Sequence, residues 1–373
     1  MDNVRIQAAR VHPYRLGLRS PIATAHGLLT ERRGFLVELS DESGGVGWGD
    51  ACPIAGFNME DLSDCQEALR AGCAGLLQGA VSVASAAANG GRPAAQGALE
   101  VALFDLSARQ QRQGFAEFFP FETPDPSVDR LPVSGLVVGH DAAEIRSCAR
   151  TLIGLGHQSL KLKVANRAWS EDRIRIQALV DSLIPGVQIR LDANGGWTEE
   201  QARQAFGAFS GWPLELIEQP VAPDNLDAMA RLREFGTCPI AADESVVRAA
   251  DLEKVIESGA ADIVVLKPSA LGGPTASFEM AAKAIHAGLT VIVTSLLDSV
   301  IGVAAASHFA ARLPRGRPAD GLATGAIFEQ DLAPALAIVE GQLAVPEGAG
   351  LGLRPDPDAL EALRTAPPFE VHS

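Results

Sequence analysis

Apolar and polar positions along the chain follow two regimes, divided by residues 114–130, a stretch that holds Pro120, Pro124 and Pro126. Before it, residues 34–38 (GFLVE) and 44–50 (GGVGWGD) flank an Asp-Glu-Ser-Gly-Gly turn and predict a β-hairpin. Residues 59–113 are rich in alanine and helical in period, with Leu99, Leu103 and Leu106 on one stripe. After the divide, short aliphatic runs recur: PVSGLVVG from Pro132, SLKLKV from Ser159, VQIRLDA from Val187, LELIEQP from Leu214, CPIAADES from Cys238, ADIVVLKP from Ala261 and LTVIVTS from Leu289. Each run is almost continuously apolar, as a parallel strand covered on both faces should be. Residues 170–183 and 199–209, lying between runs, predict helices with charged outer faces. Seven strand–helix units in succession predict a β/α barrel. A doubly wound open sheet is the alternative, yet no G-x-G-x-x-G or G-x-x-x-x-G-K-[ST] loop supports it.

Composition narrows the class. A chain of 373 residues with 47% hydrophobic content can bury a large core, so disorder is excluded as its main state. The net charge of −15 argues against a nucleic-acid partner or an anionic membrane surface, both of which reward clustered Lys and Arg. No apolar run is long enough to span a bilayer, and the N-terminus lacks the apolar region of a secretory signal. Five scattered cysteines without a C-x-x-C pair suggest a reducing, cytoplasmic setting. A homo-oligomer is compatible with all of this.

The charged residues fall at the ends of the predicted strands. Lys163, Asp192, Glu218, Asp243 and Lys267 are spaced by 29, 26, 25 and 24 residues, one barrel unit each. In a barrel that recurring place is the C-terminal mouth, where active sites assemble. Three carboxylates on adjacent strands repel one another unless a cation joins them. All-oxygen ligands favour Mg²⁺, with Mn²⁺ as a substitute, and leave positions for a substrate carboxylate. A metal there stabilises the enediolate formed when an α-proton leaves. Lys161 precedes Lys163 on the same strand face, so its charge should depress the basicity limit of Lys163 and favour a neutral, basic amine. Lys267 arrives from across the barrel.

K-L-K (161–163), L-D-A-N-G-G-W (191–197), I-E-Q-P (217–220), A-D-E-S (242–245) and L-K-P (266–268) together resemble the enolase superfamily, in its muconate-lactonizing subgroup. The resemblance implies an α/β fold, a modified TIM barrel (β/α)7β with an N-terminal α+β capping domain. It places the cap at residues 1–127, the barrel at 128–335, and a segment returning to the cap at 336–373. It also implies that Asp192, Glu218 and Asp243 hold the metal, that Lys163 and Lys267 are the acid/base pair, and that Lys161, Asn194 and Glu244 support them. Residues 47–60 are similar to a stretch of the o-succinylbenzoate synthases, and residues 321–328 resemble their last barrel strand. The Asp-x-Asp of dipeptide epimerases is missing there. Asp50 and Asp298 stand where the family usually has Glu, and Gln96 where many relatives have Arg.

By the same resemblance Ser134, Phe57, Ser295 and Asp298 are candidate substrate contacts. The implied activity is dehydration of SHCHC (2-succinyl-6-hydroxy-2,4-cyclohexadiene-1-carboxylate) to o-succinylbenzoate for menaquinone synthesis, on a small carboxylate substrate. An N-succinylamino acid racemase and a muconate-type cycloisomerase are alternatives on the same scaffold. A non-catalytic barrel used for binding or assembly is the alternative of another class; five polar groups in register argue against it.

Overall fold

The computed structural model describes residues 4–24, 27–54, 60–78, 92–119, 128–209, 211–236 and 238–371. The chain opens with three antiparallel strands, β1 (Ile6–Thr24), β2 (Gly27–Asp41) and β3 (Val46–Ala51). The predicted hairpin is β2–β3. Its Asp41 side chain accepts from the amides of Ser43 and Gly45 and so shapes the turn. Helix α1 (Leu62–Leu77) starts at Asp61, whose carboxylate caps the Asp64 amide. Helix α2 (Pro93–Gln111) lies against β3 at unusually close range. A Cβ at Gly47 would stand 2.1 Å from Ala102 O, and one at Gly49 would stand 1.9 Å from Ala98 O. The G-V-G-W-G run is therefore a contact surface for a helix backbone as well as a strand. A short helix, α3 (Phe115–Phe118), ends this part of the described chain.

After β4 (Arg130–Pro132), the barrel begins with β5 (Gly135–Val137), then alternates α4 (Ala142–Gly154), β6 (Ser159–Lys163), α5 (Trp169–Val180), β7 (Gln188–Asp192), α6 (Glu199–Ala208), β8 (Leu214–Glu218), α7 (Leu226–Phe235), β9 (Ile240–Ala242), α8 (Ala249–Ser258) and β10 (Ile263–Leu266). Next come α9 (Pro268–Leu271), α10 (Pro274–His286), β11 (Thr290–Val293) and α11 (Val300–Ala310). Strands β5 to β11 form one parallel sheet in sequential order. All seven lie within the runs marked out by hydrophobic pattern. Leu216, Ala241, Ile263, Val265 and Ile292 pack against one another as a separate apolar cluster, while alternate residues such as Leu160, Leu191 and Ile217 join the helices in the main core.

Residues 321–328 do not form the expected last strand. Asp320 and Gly321 make only single bridges, to Val133 and Thr294, and a 3₁₀ turn follows at Gly325–Ile327. The Asp320 carboxylate accepts the Val293 amide, a bond that a regular ladder would have supplied from backbone. Beyond it, β12 (Ile338–Val339) and β13 (Gln342–Ala344) pair with β4. Helix α12 (Pro357–Leu363) leads to β14 (Phe369–Val371), which adds to the edge of β1 and so ties the tail to the cap. Among the described residues no helix is long and apolar enough to cross a membrane.

Candidate active site

Parallel pairing sets the site. Lys163 is the register partner of Asp192, and Asp192 of Glu218, so three charged groups stand side by side at the ends of β6, β7 and β8. Asp243 follows β9 by one residue and Lys267 follows β10 by one residue. Asp192, Glu218 and Asp243 are 1%, 3% and 5% exposed, so none is a solvated loop carboxylate.

Lys161 lies between two of these carboxylates, with Nζ 2.7 Å from Glu218 Oε1 and 3.0 Å from Asp192 Oδ2. Burial opposes its charge, but Asp192, Glu218 and Asp243 outweigh that and raise its pKa above the ordinary lysine value. Its positive charge is thus matched by these carboxylates. Lys163 Nζ donates to Asn194 Oδ1 at 2.8 Å and lies 3.8 Å from Asp192. With its side chain a third exposed, at 33%, it is the most accessible of these groups. Asn194 takes a left-handed φ of 43° and donates through Nδ2 to Glu244 Oε1 at 2.8 Å. Lys267 is buried and paired with Asp243.

The balance of charge leaves a surplus of negative groups. Asp192, Glu218, Asp243 and Glu244 face three lysines, and the strain falls on Glu218. Burial, reinforced by Asp192 and Asp243, pushes its carboxyl up to about 7 despite Lys161. Burial likewise raises Asp243 and Glu244, whereas the two lysines of β6 bring Asp192 below its ordinary value. Glu244 Oε2 is buried without a hydrogen-bond partner. Among the described residues no three such side chains already converge as a metal cluster, since ammonium groups stand between them. The donor set nevertheless fits a hard divalent cation: every candidate ligand is a carboxylate oxygen, buried, with excess negative charge to neutralise.

Gln219 was not foreseen as part of this site. It is fully buried, with φ of 39°, and its Oε1 accepts both the Asp243 and the Ser245 amides at 3.1 Å. Its Nε2 donates to Ser245 Oγ and Val221 O. One side chain therefore fixes the turn that presents Asp243 and Glu244. The only signal in the sequence was a polar residue wedged between Glu218 and Pro220 at the end of an apolar run. Among the candidate substrate contacts, Ser134, Ser295 and Asp298 are all buried. Ser134 Oγ donates to Asp320 O at 3.4 Å, and Ser295 Oγ meets Thr324 Oγ1 at 2.9 Å. Asp298 accepts from Ser269 and the Leu296 amide. Phe57 lies outside the described residues.

Residues 144–359 match the family described as enolase C-terminal domain-like, and residues 6–106 match the MenC N-terminal domain. The o-succinylbenzoate synthase of Mycobacterium tuberculosis (strain ATCC 25618 / H37Rv) is 39% identical over 240 residues, 64% of this chain and 70% of that protein. Muconate cycloisomerase from Pseudomonas fluorescens superposes with a TM-score of 0.87 at 25% identity, covering 97% of this chain and 99% of the other. A dipeptide epimerase from Cytophaga hutchinsonii, solved with Mg and a dipeptide, gives a TM-score of 0.87 at 24% identity over 98% and 100% of the two chains, a likeness of fold. The chain belongs to the enolase superfamily and, within it, to the family of the o-succinylbenzoate synthases; it is an enzyme of the lyase type.

Proposed function

We propose that the chain dehydrates SHCHC to o-succinylbenzoate, a step of menaquinone synthesis, in the cytoplasm. The observation that carries this reading is the continuous row from Lys163 through Asp192 and Glu218 to Asp243 and Lys267 at the mouth of the parallel sheet. Asp192, Glu218 and Asp243 would hold Mg²⁺, or Mn²⁺ in its place, which supplies Lewis-acid stabilisation of charge on a substrate carboxylate when bound.

Lys163 then does the proton chemistry. Its amine takes the α-proton, and the C–H electron pair moves into the ring and carboxylate. The ammonium so formed returns that proton to the departing hydroxyl as the C–O bond breaks, and water leaves. Atoms balance with no other reactant, and an aromatic ring results. Asn194 holds the Lys163 nitrogen at the mouth through a 2.8 Å bond. Lys267, paired with Asp243, presents positive charge to the side on which negative charge develops. Lys161 keeps the Asp192 and Glu218 carboxylates ordered.

A racemase of N-succinylamino acids remains a second reading, favoured by one observation. Lys163 ends β6 and Lys267 follows β10, with three strands between them, an arrangement suited to proton exchange on two faces of one carbon. The assay is direct: purified protein with Mg²⁺ is given SHCHC and, separately, single enantiomers of N-succinylamino acids. Loss of the diene absorbance with formation of o-succinylbenzoate is expected. Racemisation without any turnover of SHCHC would overturn the main reading. We further propose the division into a cap of residues 1–127, a barrel of 128–335 and a returning segment of 336–373.

A further inference from the structure

Tyr14 is the chain's single tyrosine. It is buried on β1, and its hydroxyl donates to Asp50 Oδ1 on β3 at 2.6 Å, across the intervening strand β2. The phenol passes over Gly34, its register partner, where a Cβ would stand 2.6 Å from Tyr14 Oη. The second oxygen of Asp50 reaches out of the cap sheet. Asp50 Oδ2 accepts the Ser299 amide at 3.0 Å and Ser299 Oγ at 2.9 Å, at the start of α11. Burial and the nearby Asp298 carboxylate push the Asp50 carboxyl up to about 7, against the pull of these donors.

Arg32 of β2 holds the same turn from its other side. Its Nε donates to Leu297 O at 3.1 Å, while its NH groups bind Pro53 O and Cys52 O. Leu297 has a φ of 56°, a left-handed conformation costly for a leucine. Asp298, the next residue, accepts the Leu296 amide at 2.9 Å and Ser269 Oγ at 3.1 Å through one oxygen. Its other oxygen is buried without a hydrogen-bond partner. Ser269 lies two residues after Lys267. A Cβ on Gly302 would stand 2.7 Å from Asp298 Cβ and 2.9 Å from Asp50 Oδ2, so the two acids pack over this glycine of α11. Apolar packing alone would hold cap to barrel at lower desolvation cost; a chain of buried directional bonds fixes orientation as well.

We propose that Tyr14 and Asp50 are positioning residues for Lys267, acting from the cap through Ser299, Asp298 and Ser269. The proposal rests on the reading of Lys267 as the second catalytic lysine. Tyr14→Phe keeps the ring and removes one hydroxyl; Asp50→Asn keeps the shape and removes an acceptor. Each is expected to lower kcat on SHCHC by about tenfold with KM within about twofold, because misplacement of a catalytic group acts on the transition state. The double variant should be no worse than Asp50→Asn alone, as members of one chain act as a unit. Amide hydrogen exchange should accelerate at residues 269–271 and 295–299 in both variants while the rest of the barrel is unchanged. Unaltered exchange at these amides, or a lower Tm with normal kcat per folded molecule, would overturn the proposal. If the wild-type protein does not turn over SHCHC, the reading of the reaction fails by itself, and the exchange measurement still decides the latch.

Discussion

Two layers of the same parallel sheet carry charge, and they are built to opposite ends. At the mouth, Asp192, Glu218, Asp243 and Glu244 outnumber the lysines, and Glu218 is pushed up to about 7 by burial and by its acidic neighbours. Lower in the sheet stand Ser159 of β6, two residues before Lys161, and Arg190 of β7, two residues before Asp192. Arg190 Nε donates to Glu215 Oε2 at 2.6 Å, its NH2 to Oε1 at 3.1 Å, and Ser159 Oγ donates to Oε2 at 2.6 Å. Glu215 is an extra residue in the ladder, because Ile189 pairs with Leu214 while Arg190 pairs with Leu216. The bulge re-aims the carboxylate toward its partners. The lower layer is thus one cation against one anion, with Arg190 and Ser159 both donating to Glu215. The upper layer is left short of positive charge, the state expected of a site completed by a cation and a substrate.

The largest effect should come from the upper layer. Lys163→Ala is expected to lower turnover by about 10³-fold, the scale of a lost general base, with little change in Tm because the side chain is a third exposed. Steady-state rates beside a thermal melt check this; appreciable activity would mean that another group is the base. The lower layer should behave in reverse. Arg190→Met leaves the Glu215 carboxylate unpaired and should cost about 3–5 kcal/mol of stability, read by chemical denaturation. Adding Glu215→Leu should recover most of that loss, and kcat per folded molecule should stay within a few-fold throughout. Strong loss of kcat with stability intact would erase the distinction between the layers.

Much of the upper layer was legible in the sequence and almost none of the lower. Lys163, Asp192, Glu218, Asp243 and Lys267 could be found because strand period and barrel period together put them at equivalent strand ends. Glu215 could not: it sits beside Glu218 in the same run, and only the bulge, a matter of pairing, sends it to Arg190. Gln219 was hidden because its work is done on backbone amides of the next strand. The last barrel strand was misread at residues 321–328, where Asp320 supplies by side chain what a ladder would supply by backbone. The helix over residues 199–209 was legible from its pattern, and Thr198 and Gln201 form a capping box at its start.

Metal should separate the layers by a smaller margin. Protein stripped with EDTA and then given Mg²⁺ at about 100-fold over its Kd should gain about 2.7 kcal/mol by mass action, seen as a rise in Tm. The Arg190→Met variant should gain as much, since the lower layer offers the ion nothing; Glu218→Gln should gain much less. Absence of any shift in the wild-type protein would remove the metal from the upper layer.

A pH effect contrasts the mouth with the seam between cap and barrel. Glu100 of α2 is 1% exposed; its Oε2 accepts the Thr275 amide at 3.1 Å and its Oε1 has no hydrogen-bond partner. Burial pushes its carboxyl up to about 7, whereas in the unfolded chain it titrates at the ordinary Glu value of about 4.3. Between those values the folded state binds the proton more tightly than the unfolded one, so stability falls as pH rises. The contribution is complete below the unfolded pKa and is lost as pH rises through the folded one. Glu100→Gln stays neutral throughout. Its unfolding free energy should therefore decline less steeply from pH 4.5 to 7 than that of the wild type, with the two curves parallel above about pH 8. Burial and the nearby Glu279 raise this carboxyl against the bonds from Thr275, so an unchanged slope would mean that water reaches the seam.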